Sequence, residues 1–173
     1  LGPADFIGGP VKNLMRHTGP ALSPFNAWVM LKGLETMSLR VNRQHDSALT
    51  VAAYLAAHPR VTRVLHPWRE DHPQHDLARR QMLGGGTVVT FAIDGDKADA
   101  FAVMNALQIV DISNNLGDAK SLVTHPATTT HRRLSPEART AVGITDGTIR
   151  LSVGLEDPAD LVDDLQAALR RLG

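Results

Sequence analysis

Pro59 divides the sequence into two textures, and the division limits the folds open to it. Before it, Ser23-Pro24 supplies a side-chain acceptor and then a proline suited to a first helical position, so a helix is predicted to open the apolar segment Phe25 to Leu39. Gly33 weakens the middle of that segment, but Ala48, Ala52 and Leu55 recur at helical spacing until the proline stops them. The first sixty residues therefore read as a long, mainly helical arm. After Pro59 the period shortens. Val61–Leu65 is a short β-rich run ended by His-Pro, and residues 71–83 hold helix formers as far as Gly84, Gly85 and Gly86. Thr87–Ile93 is the strongest strand, and Asp96 can cap a helix in which Ala100, Val103, Met104 and Leu107 share a face.

A short strand is expected within residues 108–112. Residues 114–133 are polar and read as loop, with a strand-like exception at Ser121–Thr124. Ser135-Pro136-Glu137 starts a short helix, Thr148–Val153 is a strand, and Asp157-Pro158 opens a last helix striped by Leu161, Leu165, Ala168 and Leu172. Strands separated by helices can make parallel crossovers, or a small sheet covered on one face. The few short strands favour the second, a two-layer α+β arrangement over residues 61–173 that follows the arm of residues 1–60.

Composition excludes several classes. Eighteen Lys and Arg balance eighteen Asp and Glu, so no net field draws the chain to nucleic acid or to an anionic membrane. With no cysteine there is no disulfide or thiolate chemistry. No run approaches the roughly 20 apolar residues of a spanning helix, no signal peptide is visible, and the chain reads as cytoplasmic. Its start at Leu1 within LGPADFIGGP reads as a chain entered partway through, so a fragment of a larger protein is expected.

One arginine interrupts the strand Thr148–Val153. A period of two sends Ile149, Leu151 and Val153 to one face and Thr148, Arg150 and Ser152 to the other. From spacing alone Arg150 is either a solvated side chain on an open sheet face or a clamp for an anion, because a guanidinium offers a planar fork that matches a carboxylate. The loop that precedes it is dense in donors: Asn114, Asn115, Thr128, Thr129, Thr130 and His131, with Gly117 permitting tight backbone.

Three separated stretches, HTGPALSPFNAWVMLKGLETMSLRV, GDAKSLVTHPATTTH and GTIRLSVGLEDPADLVDDL, closely resemble the C-terminal part of the Cys/Met-metabolism family of pyridoxal-phosphate enzymes. The likeness runs from near the first residue to the last. It implies the C-terminal small domain of a fold-type I enzyme, an antiparallel sheet with helices on one face, preceded by the end of the large domain and connecting helices. Carried over by position, it implies that Arg150 holds the substrate α-carboxylate, that Asn115, standing where the family usually has the Ser of Ser-Leu-Gly-Gly, lies against the same carboxylate with Leu116 a substrate-binding residue beside it, and that Thr130 is a further substrate-side residue.

Within that family, NNLGDAKSL together with RHTGPALSPFNAWV most resembles the direct sulfhydrylases that use O-succinylhomoserine and sulfide. Cystathionine γ-synthase and methionine γ-lyase relatives are the alternatives, and a non-catalytic amino-acid-binding module is one of another class. The resemblance further implies a homotetramer and a cofactor held mainly by an N-terminal domain. The cofactor lysine of this family lies upstream, and Lys12, Lys32, Lys97 and Lys120 stand outside its motif, so no catalytic lysine is assigned and the segment alone is expected to be inactive.

Other features carry less. His72, His75 and Asp76 lack the ligand number and spacing of a zinc site. Gly84–Gly86 precedes a strand, whereas phosphate loops follow one. Trp28, Met30, Leu34 and Met37 read as core or as a subunit contact.

Overall fold

The computed structural model describes residues 2–172. These form two compact units, one ending at Ser38 and the other beginning at Leu39. In the first, α1 (Ala4–Phe6) runs through a π-helical stretch (Ile7–Val11) into α2 (Lys12–Thr18). Pro10 lies in that stretch and has no N–H to give an α-helical ladder, which suits a locally widened turn. Gly19 closes α2 with φ 67°, a left-handed conformation that glycine adopts without a Cβ penalty.

Helix α3 (Pro24–Glu35) starts as the sequence reading has it: the Ser23 hydroxyl accepts the Asn26 N–H at 3.2 Å and Pro24 is the first helical residue. The helix passes through Gly33 and breaks at Thr36 instead. No residue of α1 to α3 is buried. Trp28, Met30, Leu34 and Met37 are all exposed, Trp28 by 56%, so none of them belongs to a core built by this chain.

In the second unit α4 (Met37–Ala57) is not an arm alone. Its residues Ala48, Val51, Ala52 and Leu55 are fully buried in the core, so the compact unit begins well before residue 61. Five strands follow: β1 (Val61–Leu65), β2 (Val88–Ile93), β3 (Asp111–Ile112), β4 (Leu122–Thr124) and β5 (Thr148–Ser152), in spatial order β1-β2-β5-β4-β3. Pairing is antiparallel from β1 to β4, as expected of the sheet; β3 adds to the edge in parallel, making the sheet mixed.

Alternation sets the two faces of this sheet. Val89, Phe91, Ile93, Ile149, Leu151 and Val153 share one core with α4, α6 (Lys97–Ala106) and α8 (Pro158–Leu169), which cover that face. The other face carries Thr90, Arg150 and Thr124 in register across β2, β5 and β4.

Local signals explain most element ends. Asp96 accepts the Ala98 and Asp99 N–H groups at 2.7 and 3.1 Å while the Asp99 carboxylate accepts the Asp96 N–H at 3.0 Å, a reciprocal box that opens α6. Asp96→Ala is expected to lower stability by about 1 kcal/mol, measured as a shift in thermal midpoint of roughly 2–4 °C. Two expected elements are shorter than their sequence patterns. Helix α5 covers only His75–Gln81, because residues 66–74, with prolines at 67 and 73, run through successive turns. The strand within 108–112 shrinks to Asp111–Ile112 because Asp164 of α8 takes the N–H groups of Gln108, Ile109 and Val110 at 2.8, 3.0 and 3.4 Å, and these amides are then lost to any ladder. Helix α7 (Pro136–Ala141) begins at a Ser23-like cap, the Ser135 hydroxyl accepting from Ala138 at 3.2 Å.

Candidate anion-binding site

Arg150 stands on the central strand, on the face away from the helices, between Thr90 and Thr124. It is half-buried, and burial alone pulls its pKa below the ordinary arginine value; it remains a cation because guanidinium stays charged in proteins. Its Nη2 donates to the carbonyl oxygens of Asn114 and Asn115 at 2.9 and 3.2 Å. Its Nε is buried without a partner among the described residues. A buried donor left unpaired costs about 1–3 kcal/mol, so this N–H is a standing demand for an acceptor, and a carboxylate meets it.

The loop that Arg150 touches is held from several sides. Gly117, at φ 80°, turns its N–H onto the Ser152 hydroxyl at 2.9 Å, and Ser152 lies two residues along the strand from Arg150 and on the same face. The Gln44 amide of α4 donates to the carbonyls of Asp118 and Val153 at 2.7 and 3.1 Å. Glu156 accepts both the N–H and the hydroxyl of Ser121, at 2.7 and 2.8 Å, while the Ser121 hydroxyl accepts the Gly154 N–H at 2.8 Å. Leu155 donates to the Ala119 carbonyl at 2.8 Å. The strand that carries the arginine and the loop that faces it are thereby one rigid assembly. Replacing Glu156 with Ala leaves the Ser121 N–H unpaired and is expected to cost about 1–2 kcal/mol of stability, read from a denaturant midpoint at unchanged slope.

Of the expected site residues, Arg150 and Asn115 meet directly, through the Asn115 backbone. The Leu116 side chain is 59% exposed. Thr130 does not bond Arg150; its hydroxyl pairs with His131 Nδ1 at 2.9 Å, and it lines a pocket of about 470 Å³ with Asn114, Thr128, Thr129, Arg132 and Arg133. Asn114 is the wall shared between the arginine and this pocket. Gln44, Ser121, Ser152 and Glu156 escape the sequence reading. Gln44 is 74 residues from Asp118 and Ser121 is 35 from Glu156, and only the paired hydrogen-bonding chemistry of Ser and Glu hints at such a partnership.

The other polar features have local explanations. His125 is buried and satisfied on both nitrogens, by Thr128 Oγ1 at 2.9 Å and the Asp146 carbonyl at 2.8 Å. Burial lowers the pKa of His66, which faces Gly86. His72 Nδ1 accepts the Gln74 N–H at 3.1 Å, and His75 lies 3.4 Å from Asp76. As for pyridoxal phosphate, Lys32 pairs with Glu35 at 2.9 Å and Lys120 with Asp111 at 3.1 Å, while Lys12 and Lys97 lie on α2 and the first turn of α6. The donors gathered around Arg150 have the chemistry to hold a carboxylate.

The family model for Cys/Met metabolism PLP-dependent enzymes matches residues 5–170. The chain is 58% identical over 173 residues to an O-succinylhomoserine sulfhydrylase of Mycobacterium tuberculosis, covering 98% of this chain and 43% of that protein. It is 48% identical over 162 residues to the O-succinylhomoserine sulfhydrylase of Pseudomonas aeruginosa, covering 94% of this chain and 40% of the relative. Its fold superposes with a TM-score of 0.89 and 35% identity on a Campylobacter jejuni structure assigned as O-acetylhomoserine (thiol)-lyase that contains N'-pyridoxyl-lysine-5'-monophosphate, covering 98% of this chain and 41% of that one. The chain thus spans about two-fifths of the length of these relatives. With the matched motifs distributed along nearly its whole length and its fold that of a fold-type I segment, the chain belongs to the Cys/Met metabolism family of PLP-dependent enzymes.

Proposed function

We propose that this chain is the substrate-binding C-terminal part of a PLP-dependent sulfhydrylase that converts O-succinylhomoserine and sulfide to homocysteine and succinate. The observation that carries the reading is the Arg150 guanidinium, with one buried N–H lacking an acceptor, on a sheet face walled by the Asn114–Gly117 loop. Arg150 binds and orients the α-carboxylate of the amino acid, Asn115 and Leu116 border it, and Thr130 lies on the substrate side of the neighbouring pocket. The overall change breaks the bond from Cγ to the succinyl oxygen and forms one from Cγ to sulfur, with succinate leaving. Pyridoxal phosphate supplies, when bound, the electron sink that such a replacement needs. An upstream portion of the protein supplies its lysine and most of its contacts, which leaves the segment inactive alone.

The same reading makes residues 1–60 the end of a large domain and its connecting helices and residues 61–173 the substrate-binding domain, with the connecting helix α4 packed into that domain's core. The exposed apolar side chains of α2 and α3, among them Leu14, Phe25, Trp28 and Leu31, are then covered by the upstream portion and by neighbouring subunits of a homo-oligomer. No helix among the described residues is long and apolar enough to cross a membrane, and a cytoplasmic biosynthetic enzyme is consistent with that.

The test is to incubate the full-length protein with O-succinylhomoserine and either sulfide or cysteine and to identify products by mass. Homocysteine from sulfide is expected. Cystathionine as the main product would reassign the chain to a cystathionine-forming relative, and no product from either donor would leave a binding role.

A further inference from the structure

The turn after β4 presents an arrangement that the α-carboxylate reading does not use. Arg132 and Arg133 line the pocket of about 470 Å³ together with Thr128, Thr129, Thr130 and Asn114, and no carboxylate is among its lining residues. Among the described residues neither arginine is in an ion pair, while Lys32, Arg69 and Lys120 all are. Two adjacent guanidiniums without a carboxylate partner, facing a concavity edged by three hydroxyls, form a region of positive potential with donors to spare.

The turn is held in shape. His131 donates its N–H to the Pro126 carbonyl at 2.9 Å, the Thr129 hydroxyl donates to the His125 carbonyl at 2.8 Å, and Thr124 and Thr129 share a hydroxyl–hydroxyl bond of 3.0 Å. Arg139 of α7 donates to the carbonyls of Ala127 and Leu134 at 3.5 and 3.4 Å, bracketing the segment from below. The pocket is therefore built by backbone that does not have to be ordered at binding, which saves the entropy cost of arranging it.

Asn114 joins this pocket to the first anion position: its carbonyl accepts from Arg150, and the residue also lines the pocket. Two cationic positions that share Asn114 suit a ligand with two carboxylates. We propose that Arg132 and Arg133 bind the terminal carboxylate of the acyl group that leaves the substrate, with the Thr128–Thr130 hydroxyls beside them, and so set a preference for succinyl over acetyl donors. The proposal rests on the reading of Arg150 as the α-carboxylate clamp. An acetyl donor has no second carboxylate and leaves these guanidiniums in water, so its binding is indifferent to them. Succinate, as released product, occupies the same position and competes.

The test is a specificity ratio in the full-length protein. With sulfide fixed, kcat/KM is measured for O-succinylhomoserine and O-acetylhomoserine in the parent protein, in Arg132→Gln, in Arg133→Gln and in the double variant. The double variant is expected to lose about 10- to 100-fold with the succinyl donor, the scale of one or two charge-assisted contacts, while the acetyl donor changes less than about twofold. Inhibition by added succinate weakens in parallel, and inhibition by acetate does not change. An equal fall with both donors, or an unchanged ratio, overturns the proposal, and the single variants carry the same comparison if the double one does not fold. If the parent consumes neither donor, the underlying sulfhydrylase reading fails; a parent active on the succinyl donor whose variants keep its preference removes only the assignment of Arg132 and Arg133.

Discussion

Replacing Arg150 with alanine in the full-length protein lowers kcat/KM for the acylhomoserine about 100-fold, roughly 2.7 kcal/mol of transition-state binding, and most of the loss lies in KM. A hydrogen bond from a charged donor is worth about 1.5–3 kcal/mol, and the unpaired Nε offers a carboxylate one. The cofactor's visible absorbance is unchanged, because the residues that would attach it are not among those Arg150 touches. Arg150→Lys recovers only part of the activity, since an ammonium is a point charge and cannot reproduce a planar pair of donors.

A structural role makes a different set of results. The guanidinium also ties the Asn114 and Asn115 carbonyls to β5, so the variant is expected to lose some thermal stability in any case. If stability falls while KM for the amino-acid substrate and the inhibition constants of carboxylate analogues stay put, Arg150 is a brace for the loop and the binding reading is wrong.

Gly154→Ala lowers stability by about 3 kcal/mol, near the upper end of what overpacking costs, and a thermal midpoint 6–12 °C lower follows at roughly 2–4 °C per kcal/mol. A Cβ at this position would lie 2.5 Å from the Ala119 carbonyl oxygen and 2.5 Å from the Lys120 carbonyl carbon, both backbone atoms that cannot swing away. It would also press on the Glu156 carboxylate that holds Ser121. The loop would have to retreat from the end of β5, taking Asn114 to Gly117 with it, so KM for the substrate should rise along with the loss of stability. A variant as stable as the parent would mean that the loop is free to shift, contrary to the network of Gln44, Ser121, Ser152 and Glu156.

These predictions depend on different kinds of information. The caps at Ser23, Asp96, Ser135 and Asp157, the strand Thr87–Ile93 and the stripe of α8 are legible in the sequence because each is decided within a few residues by a hydrogen bond or a repeat. The face on which Arg150 lies follows in the same way from the period of two. The three motifs pointed to the family for a related reason: they are contiguous and long. What escaped was decided at a distance. Helix α4 reads as an arm because its apolar spacing is sparse, yet Ala48 and Ala52 are buried because small side chains let the helix approach the sheet closely. The strand at 108–112 is cut short by a carboxylate more than fifty residues away on α8. Parallel pairing of β3 depends on a neighbour that no local pattern specifies.

The sequence by itself determined most of the elements, the orientation of Arg150 and the likeness to a PLP-dependent family, because those rest on local periodicity and on unbroken motifs. Only the tertiary structure decided the surroundings of Arg150: it brings the Asn114–Ser121 loop against the strand and leaves a buried Nε without an acceptor among the described residues, and it does so through hydrogen bonds between residues far apart in the chain, whose partners are selected by the packing of the whole sheet.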